Sequence, residues 1–259
     1  MLFYFTATGN SLHTAKQLEE RPISIAQAIH DRDKTYVAES IGIVCPVFGH
    51  EVPGIVKEFL ESANFQTPYF YMILTYGNRH GGASELAERM LSDLGITASY
   101  INVVLMVDNF LPGFDMDQQK ALDKNVEGQI EIIKNDLAKQ RRFISPVTAG
   151  DRKTHQEYLA RMSQMPVGAF SNLCRITEQC VGCEICTKVC PKACFTVSDQ
   201  KSIWHSEGCI TCMACVHACP TKAIQLSVPE KNQNARYRNE HISLCEIVDS
   251  NNQLNKITE

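Results

Sequence analysis

The chain has 259 residues, 44% of them hydrophobic, with a formal net charge of -4 and twelve cysteines. That length allows two domains, and the apolar share sustains an ordinary buried core. The mild charge gives no basic face for nucleic acid or an anionic membrane, and no apolar run approaches the roughly 20 residues that span a bilayer.

The opening Met1-Leu-Phe-Tyr-Phe carries no basic segment and reaches Gly9 too soon for a secretory leader. A cytoplasmic setting with reduced thiols is expected. Residues 2–5 form a short apolar run, ending in Thr6-Ala7-Thr8-Gly9-Asn10-Ser11. A helical pattern follows, with Leu12, Ala15 and Leu18 on one face. Further strands are predicted at 22–25, 41–48, 69–75 and 101–107, with helices opening near 53 and spanning about 83–94. A long amphipathic stretch then carries Leu122, Val126, Ile130, Ile133 and Leu137 at helical spacing. Continuous apolar strands separated by helices predict a parallel sheet buried on both faces. The expectation is an α/β doubly wound, five-stranded parallel sheet.

Residues 143–171 break this pattern with Ser145-Pro146, Gly150-Asp151 and Pro166-Val167-Gly168. The reading divides the chain into a first domain at 1–145, a linker at 146–171 with a short helix at 154–165, a cysteine-rich α+β domain at 172–228, and a tail at 229–259 that packs back. Within the tail, 242–248 reads as a short apolar strand-like piece.

Eight cysteines fall in two matching runs. Cys180-x2-Cys183-x2-Cys186-x3-Cys190-Pro191 is repeated as Cys209-x2-Cys212-x2-Cys215-x3-Cys219-Pro220, an offset of 29. This is the bacterial ferredoxin pattern, in which three cysteines hold one [4Fe–4S] cluster and the fourth crosses to the other. Cys180, Cys183, Cys186 and Cys219 are assigned to one cluster, and Cys209, Cys212, Cys215 and Cys190 to the second. Structural zinc also uses Cys-x2-Cys pairs, but it does not need three evenly spaced cysteines and a Cys-Pro, twice. Val181, Ile185, Ile210 and Val216 are expected to form an apolar shell. Cys174 and Cys194 match Ile203 and Ala223 in the repeat, so they read as small buried residues. Cys45 reads as core and Cys245 as packing in the tail. His217 matches Lys188 and is expected at the surface.

The loop Thr6-x-Thr8-Gly9-Asn10-Ser11 joins a strand to a helix N-terminus, where hydroxyls and backbone N–H groups suit a phosphate. It lacks a Walker lysine and a second glycine, which disfavours ATP, GTP and dinucleotides. The loop resembles that of flavodoxins, where it binds the phosphate of FMN. The resemblance extends to Pro46-Val47-Phe48-Gly49 and Thr75-Tyr76-Gly77-Asn78 at strand ends. In flavodoxins the equivalent loops enclose the isoalloxazine ring, which implies stacking by Phe48 or Tyr76 and close approach at Gly81. The whole chain is similar to the fused flavodoxin–ferredoxin proteins called EFR1 family ferredoxins. That likeness includes Asp108-Asn109-Phe110 and the tail Arg236-Tyr237-Arg238-Asn239, with Thr6-Ala7-Thr8 replacing the more usual Ser-Gly-Thr.

The resemblance implies a flavodoxin-like domain, FMN and two [4Fe–4S] clusters; the function expected is relay of electrons between FMN and the clusters, with a redox protein as donor or acceptor, or a small-molecule acceptor, as partner. Two alternatives stand beside it: a flavin-dependent reductase of a quinone or nitro compound, and a cluster-dependent redox or iron sensor. No catalytic dyad stands out, and His50 and His80 read as solvated loop residues.

Overall fold

The structure is a computed structural model describing residues 1–166, 169 and 172–254. Residues 167–168 and 170–171 of the expected linker, and 255–259 of the expected tail, lie outside the described residues.

In chain order the elements begin with β1 (Leu2–Tyr4), α1 (Asn10–Leu18), β2 (Ile23–Ser24), α2 (Ile25–Ala28), β3 (Thr35–Val37), β4 (Ile41–Pro46), α3 (Gly54–Ser62) and β5 (Asn64–Gln66). Then come β6 (Phe70–Tyr76), α4 (Ala83–Asp93), β7 (Ala98–Leu105), α5 (Met116–Lys120), α6 (Val126–Ala138), β8 (Phe143–Ile144) and α7 (Ala149–Ser163). The remainder is β9 (Cys174–Ile176), α8 (Ile185–Lys188), β10 (Phe195–Ser198), β11 (Lys201–Trp204), α9 (Ala214–Ala218), β12 (Ile224–Leu226) and α10 (Leu244–Asn251). No helix among the described residues is long and apolar enough to cross a membrane.

The described chain separates into two units. The first comprises Met1–Phe5, Asn10–Val107 and Asp123–Met165. Its six-stranded sheet has the order β2-β1-β4-β6-β7-β8, with every neighbouring pair parallel. Apart from the extra edge strand, this is the doubly wound order of flavodoxin-like folds. β4 and β6 are buried along almost their whole length, as a parallel sheet covered on both faces requires. The sixth strand, beyond the five expected, is two residues long and too short to show a period. β3 and β5 form a separate parallel pair.

α7 also belongs to this unit and starts before the predicted 154. A capping box begins it: the Asp151 N–H donates to Thr148 Oγ1 at 3.1 Å, and the Thr148 N–H donates to Asp151 Oδ2 at 2.9 Å. No residue of α7 is fully buried.

The second unit comprises Thr6–Gly9, Asp108–Leu122 and the described part of Pro166–Glu259. Its strands pair as β9 with β12 and β10 with β11, both antiparallel. The strand before each cysteine run thus pairs with the strand after the other run, as a pseudo-two-fold repeat demands. The strand-like piece read at 242–248 is instead the start of α10. Ser243 caps that helix, with its Oγ accepting from the Glu246 N–H and Glu246 Oε2 accepting from the Ser243 N–H. Apolar run length alone did not separate strand from helix there.

Candidate metal centre

Each cysteine run coils through a loop into a short helix, α8 or α9. The coiling needs left-handed backbone at three places per half, and these fall at the repeat offset: Gly182 and Thr211, Glu184 and Met213, Ala193 and Lys222. Such conformations cost a non-glycine residue of order 1 kcal/mol, so the repeat extends from sequence into backbone strain. After each run a backbone N–H points at the fourth cysteine. Cys194 N–H donates to Cys190 Sγ and Ala223 N–H to Cys219 Sγ, each at 3.2 Å. The donors are again 29 residues apart.

Cys190, from the first run, lines one cavity with Cys209, Cys212 and Cys215 from the second. In the other half, Ser202 joins two ligand candidates. Its N–H donates to Cys180 Sγ at 3.4 Å, and its hydroxyl shares a hydrogen bond of 3.0 Å with Cys186 Sγ. Burial raises the Cys180 thiol, but N–H groups of Ser202 and Gly182 outweigh it and leave Cys180 below the usual thiol range. Cys183 is exposed, and Cys219 closes α9, which packs against α8. The soft sulfur donors and the N–H groups aimed at them fit thiolate-bound iron.

Of the two cysteines read as small buried residues, Cys194 is buried and Cys174 is half-buried. Cys174 and Cys194 line the same cavity as Cys190, Cys209, Cys212 and Cys215. The Cys194 thiol donates to the Lys192 and Glu207 carbonyls at 3.5 and 3.6 Å; its neighbours Cys190 and Cys209 push its pKa up, and it holds theirs down. Cys174 and burial push the Cys215 thiol up. Of the expected shell, Val216 is buried and Ile210 lines the cavity, whereas Val181 is exposed. Cys45 is core, while Cys245 is exposed on α10 and does not pack.

His217 departs from the surface position expected for it; it is buried. Its Nε2 meets the Asn109 carbonyl at 2.9 Å and its Nδ1 accepts from the Tyr237 N–H at 3.1 Å. Burial lowers its pKa to about 4, helped by Arg236 and opposed by the Asn109 carbonyl. The first half carries Lys188 here, so repeat arithmetic pointed outward. The 108–122 segment and the tail cover only the second half's histidine, and nothing local announces that.

The strand-end loops of the first unit close on their own side chains. Ser11 Oγ and Thr75 Oγ1 share a buried 2.8 Å hydrogen bond, and the Val47 N–H donates to the Thr75 carbonyl. Pro46 ends β4 opposite Thr75. Phe48 pairs with Glu51 and sets its ring edge-on to Phe5. Tyr76 stands edge-on to His80, and the Gly77 carbonyl accepts from Lys124 Nζ. Asn78 is exposed. Gly49 has φ of +57°, and a Cβ there would run into the Tyr158 hydroxyl from α7. The His50 ring lies against Gly81 and packs edge-on to Tyr158 and His155. His50 is therefore a packed residue rather than a solvated one. Its pKa is lowered by burial and then by His155 and His80.

In the second unit, Thr6 Oγ1 accepts from the Gly9 N–H and Thr8 Oγ1 accepts from Asn109 Nδ2. The Thr8 carbonyl accepts from the Asn239 N–H and the Thr6 carbonyl from Asn251 Nδ2. Gly9 has φ of +103°, and a Cβ on it would meet Asn239 at 2.9 Å. Asn10 opens α1 in the first unit and donates to the Val107 carbonyl. These engagements do not fit FMN. The hydroxyls meant for phosphate already serve the chain, Thr6, Thr8 and Ser11 are almost fully buried, and Tyr158 and His50 lie against Gly49 and Gly81 of the loops meant for the ring. Tyr158, His155 and Asn251 were missed because all are distant in sequence from the loops they touch, and Asn109 and Asn239 entered only through the family likeness.

Residues 179–224 match the family model described as 4Fe-4S dicluster domain. This segment is a dicluster ferredoxin domain. No curated protein matches the chain. Among the solved structures that match is one described as "a Putative flavoprotein from Bacteroides uniformis ATCC 8492". It is 17% identical and the alignment covers 42% of this chain and 90% of that one, with a TM-score of 0.34. A likeness at that level does not bear on ligand or activity.

Proposed function

We propose that this chain is an electron-transfer protein carrying two [4Fe–4S] clusters in its ferredoxin domain. Cys180, Cys183, Cys186 and Cys219 would hold one, and Cys190, Cys209, Cys212 and Cys215 the other. The observation that carries the reading is the cavity that Cys190 shares with three cysteines of the other run, since crossed ligation is the mark of two-cluster ferredoxins. Bound clusters would supply one-electron chemistry. The chain's own part is to converge the thiolates, aim Cys194 N–H and Ala223 N–H at Cys190 and Cys219, and limit water with Leu173, Phe195 and Val216. Hydrogen bonds to the sulfurs and solvent exposure are the levers that tune such centres. The test is dithionite reduction of anaerobically reconstituted protein followed by reoxidation with a one-electron acceptor. Reversible bleaching supports the proposal, and a spectrum unchanged by dithionite contradicts it.

A finer reading adds FMN as the other end of a relay and places the chain with the fused flavodoxin–ferredoxin proteins. Its support is the Thr6-x-Thr8-Gly9-Asn10-Ser11 turn between β1 and α1 and the sheet order. Against it stand the filled loops. Flavin released on denaturing anaerobically purified protein decides between them: about one FMN per chain restores the relay, and none leaves a cluster protein on a flavodoxin-like scaffold.

A further inference from the structure

We infer that α7 is an autoinhibitory strap: it lies across the crevice at the carboxyl ends of β4 and β6 and must lift before that crevice takes a planar ligand. The inference rests on the flavin reading above for the class of ligand and adds what keeps it out. The loop after β4 carries Gly49 and His50, and the loop after β6 carries His80, Gly81 and Gly82. Ligands of open α/β sheets sit outside such strand ends. α7 reaches both loops. A Cβ on Gly49 would run into the Tyr158 hydroxyl, and one on Gly82 would meet Val147, just before the helix, at 3.1 Å. Asp151 lies 3.8 Å from His80 Nε2, and Glu51 lies 3.9 Å from His155 Nε2.

The face by which α7 is held is not a core face. Asp151, Thr154, His155, Tyr158 and Met162 recur at helical spacing, each is half-buried, and four of the five carry polar groups. Leu159 is exposed instead. A helix packed permanently on its domain turns an apolar stripe inward. The buried Nδ1 atoms of His50 and His155 find no hydrogen-bond partner among the described residues, so closure leaves two polar atoms unsatisfied, which is unfavourable. His50 also holds left-handed backbone, with φ of +72°. Arg152 ties the helix to α4 through Glu85, with Nε donating to Oε2 at 3.0 Å. Elements held by few buried apolar contacts open ahead of the rest of a domain, and lids are drawn from them.

The test uses the full chain, reconstituted anaerobically, with riboflavin as the probe. Riboflavin carries the ring without the phosphate, so the engaged hydroxyls of Thr6, Thr8 and Ser11 do not enter. Binding is read by quenching of flavin fluorescence, and opening by hydrogen exchange across 149–163. A closed strap lowers apparent affinity by the fraction of molecules in which it is open. Tyr158→Ala/His155→Ala should therefore bind riboflavin several-fold more tightly than wild type. Arg152→Ala, which leaves Tyr158 and His155 in place, should give a smaller gain. In both variants exchange along α7 should quicken while β4 and β6 stay protected. Equal affinity in wild type and Tyr158→Ala/His155→Ala, or binding by neither, overturns the inference. So does a gain confined to that variant with α7 exchange unchanged, because truncation then only made room. FMN released from wild type, as above, tests the flavin reading separately. Wild type that holds FMN with α7 as protected as β6 overturns the strap and leaves that reading standing.

Discussion

Replacing His217 with leucine tests whether the tail and the 108–122 segment are fastened to the ferredoxin domain through one imidazole. The side chain bridges the Tyr237 N–H and the Asn109 carbonyl, and it is buried. Leucine fills much of the volume but leaves both backbone groups without that partner. An unsatisfied buried donor or acceptor costs about 1–3 kcal/mol, so the pair should cost about 2–6 kcal/mol. Lys188→Leu, at the equivalent repeat position, removes only a partly exposed side chain with a 3.9 Å ion pair to Glu184, worth less than about 1 kcal/mol. Denaturant midpoints of the anaerobically reconstituted variants should separate by that difference. Hydrogen exchange should rise around Tyr237 in His217→Leu alone. His217→Gln, which keeps a donor and an acceptor, should recover part of the loss. Equal midpoints for His217→Leu and Lys188→Leu would refute the reasoning, as would unchanged exchange at Tyr237.

Three further outcomes follow from particular contacts. Gly49→Ala should destabilise the first unit by about 2–4 kcal/mol, adding left-handed strain to overpacking against Tyr158. In a Tyr158→Ala background the same change should cost only about 1–2 kcal/mol, and an undiminished cost would mean Tyr158 does not fill that space. Glu230 is fully buried against Arg236 at 2.8 Å and also accepts from the Leu226 N–H. Glu230→Ala should therefore cost about 3–5 kcal/mol, with Arg236→Met restoring part of it in the double variant; a loss under about 1 kcal/mol would contradict burial of the pair. His50 has a lowered pKa in the folded chain, so the folded state resists its protonation. The stability held by neutral His50 is complete above the imidazole's usual 6.5 and declines as pH falls below it. Thermal unfolding between pH 7.5 and 5 should drop less in His50→Gln than in wild type, and parallel curves would remove His50 from the account.

The parallel sheet and the cysteine repeat were legible because both are local periodic patterns. Buried strands such as β4 read as unbroken apolar runs, and the ligand spacing carries its chemistry in plain order. The crossed role expected of Cys190 came from the ferredoxin pattern, and the cavity it shares with Cys209, Cys212 and Cys215 supports the proposal. What stayed hidden depends on distant residues. α7 buries no face fully, so it lacked apolar periodicity, although Thr148 and Asp151 mark its start. The filling of Gly49 by Tyr158 joins positions more than a hundred residues apart. The repeat misled at His217, because equivalence within the ferredoxin domain carries no information on what packs against only one half.

Iron and acid-labile sulfide counted on anaerobically purified protein, with the visible spectrum before and after dithionite, test the central claim most directly. The account predicts about eight irons and eight sulfides per chain and broad absorption that dithionite bleaches. Protein carrying zinc in their place, or iron without sulfide, would contradict it.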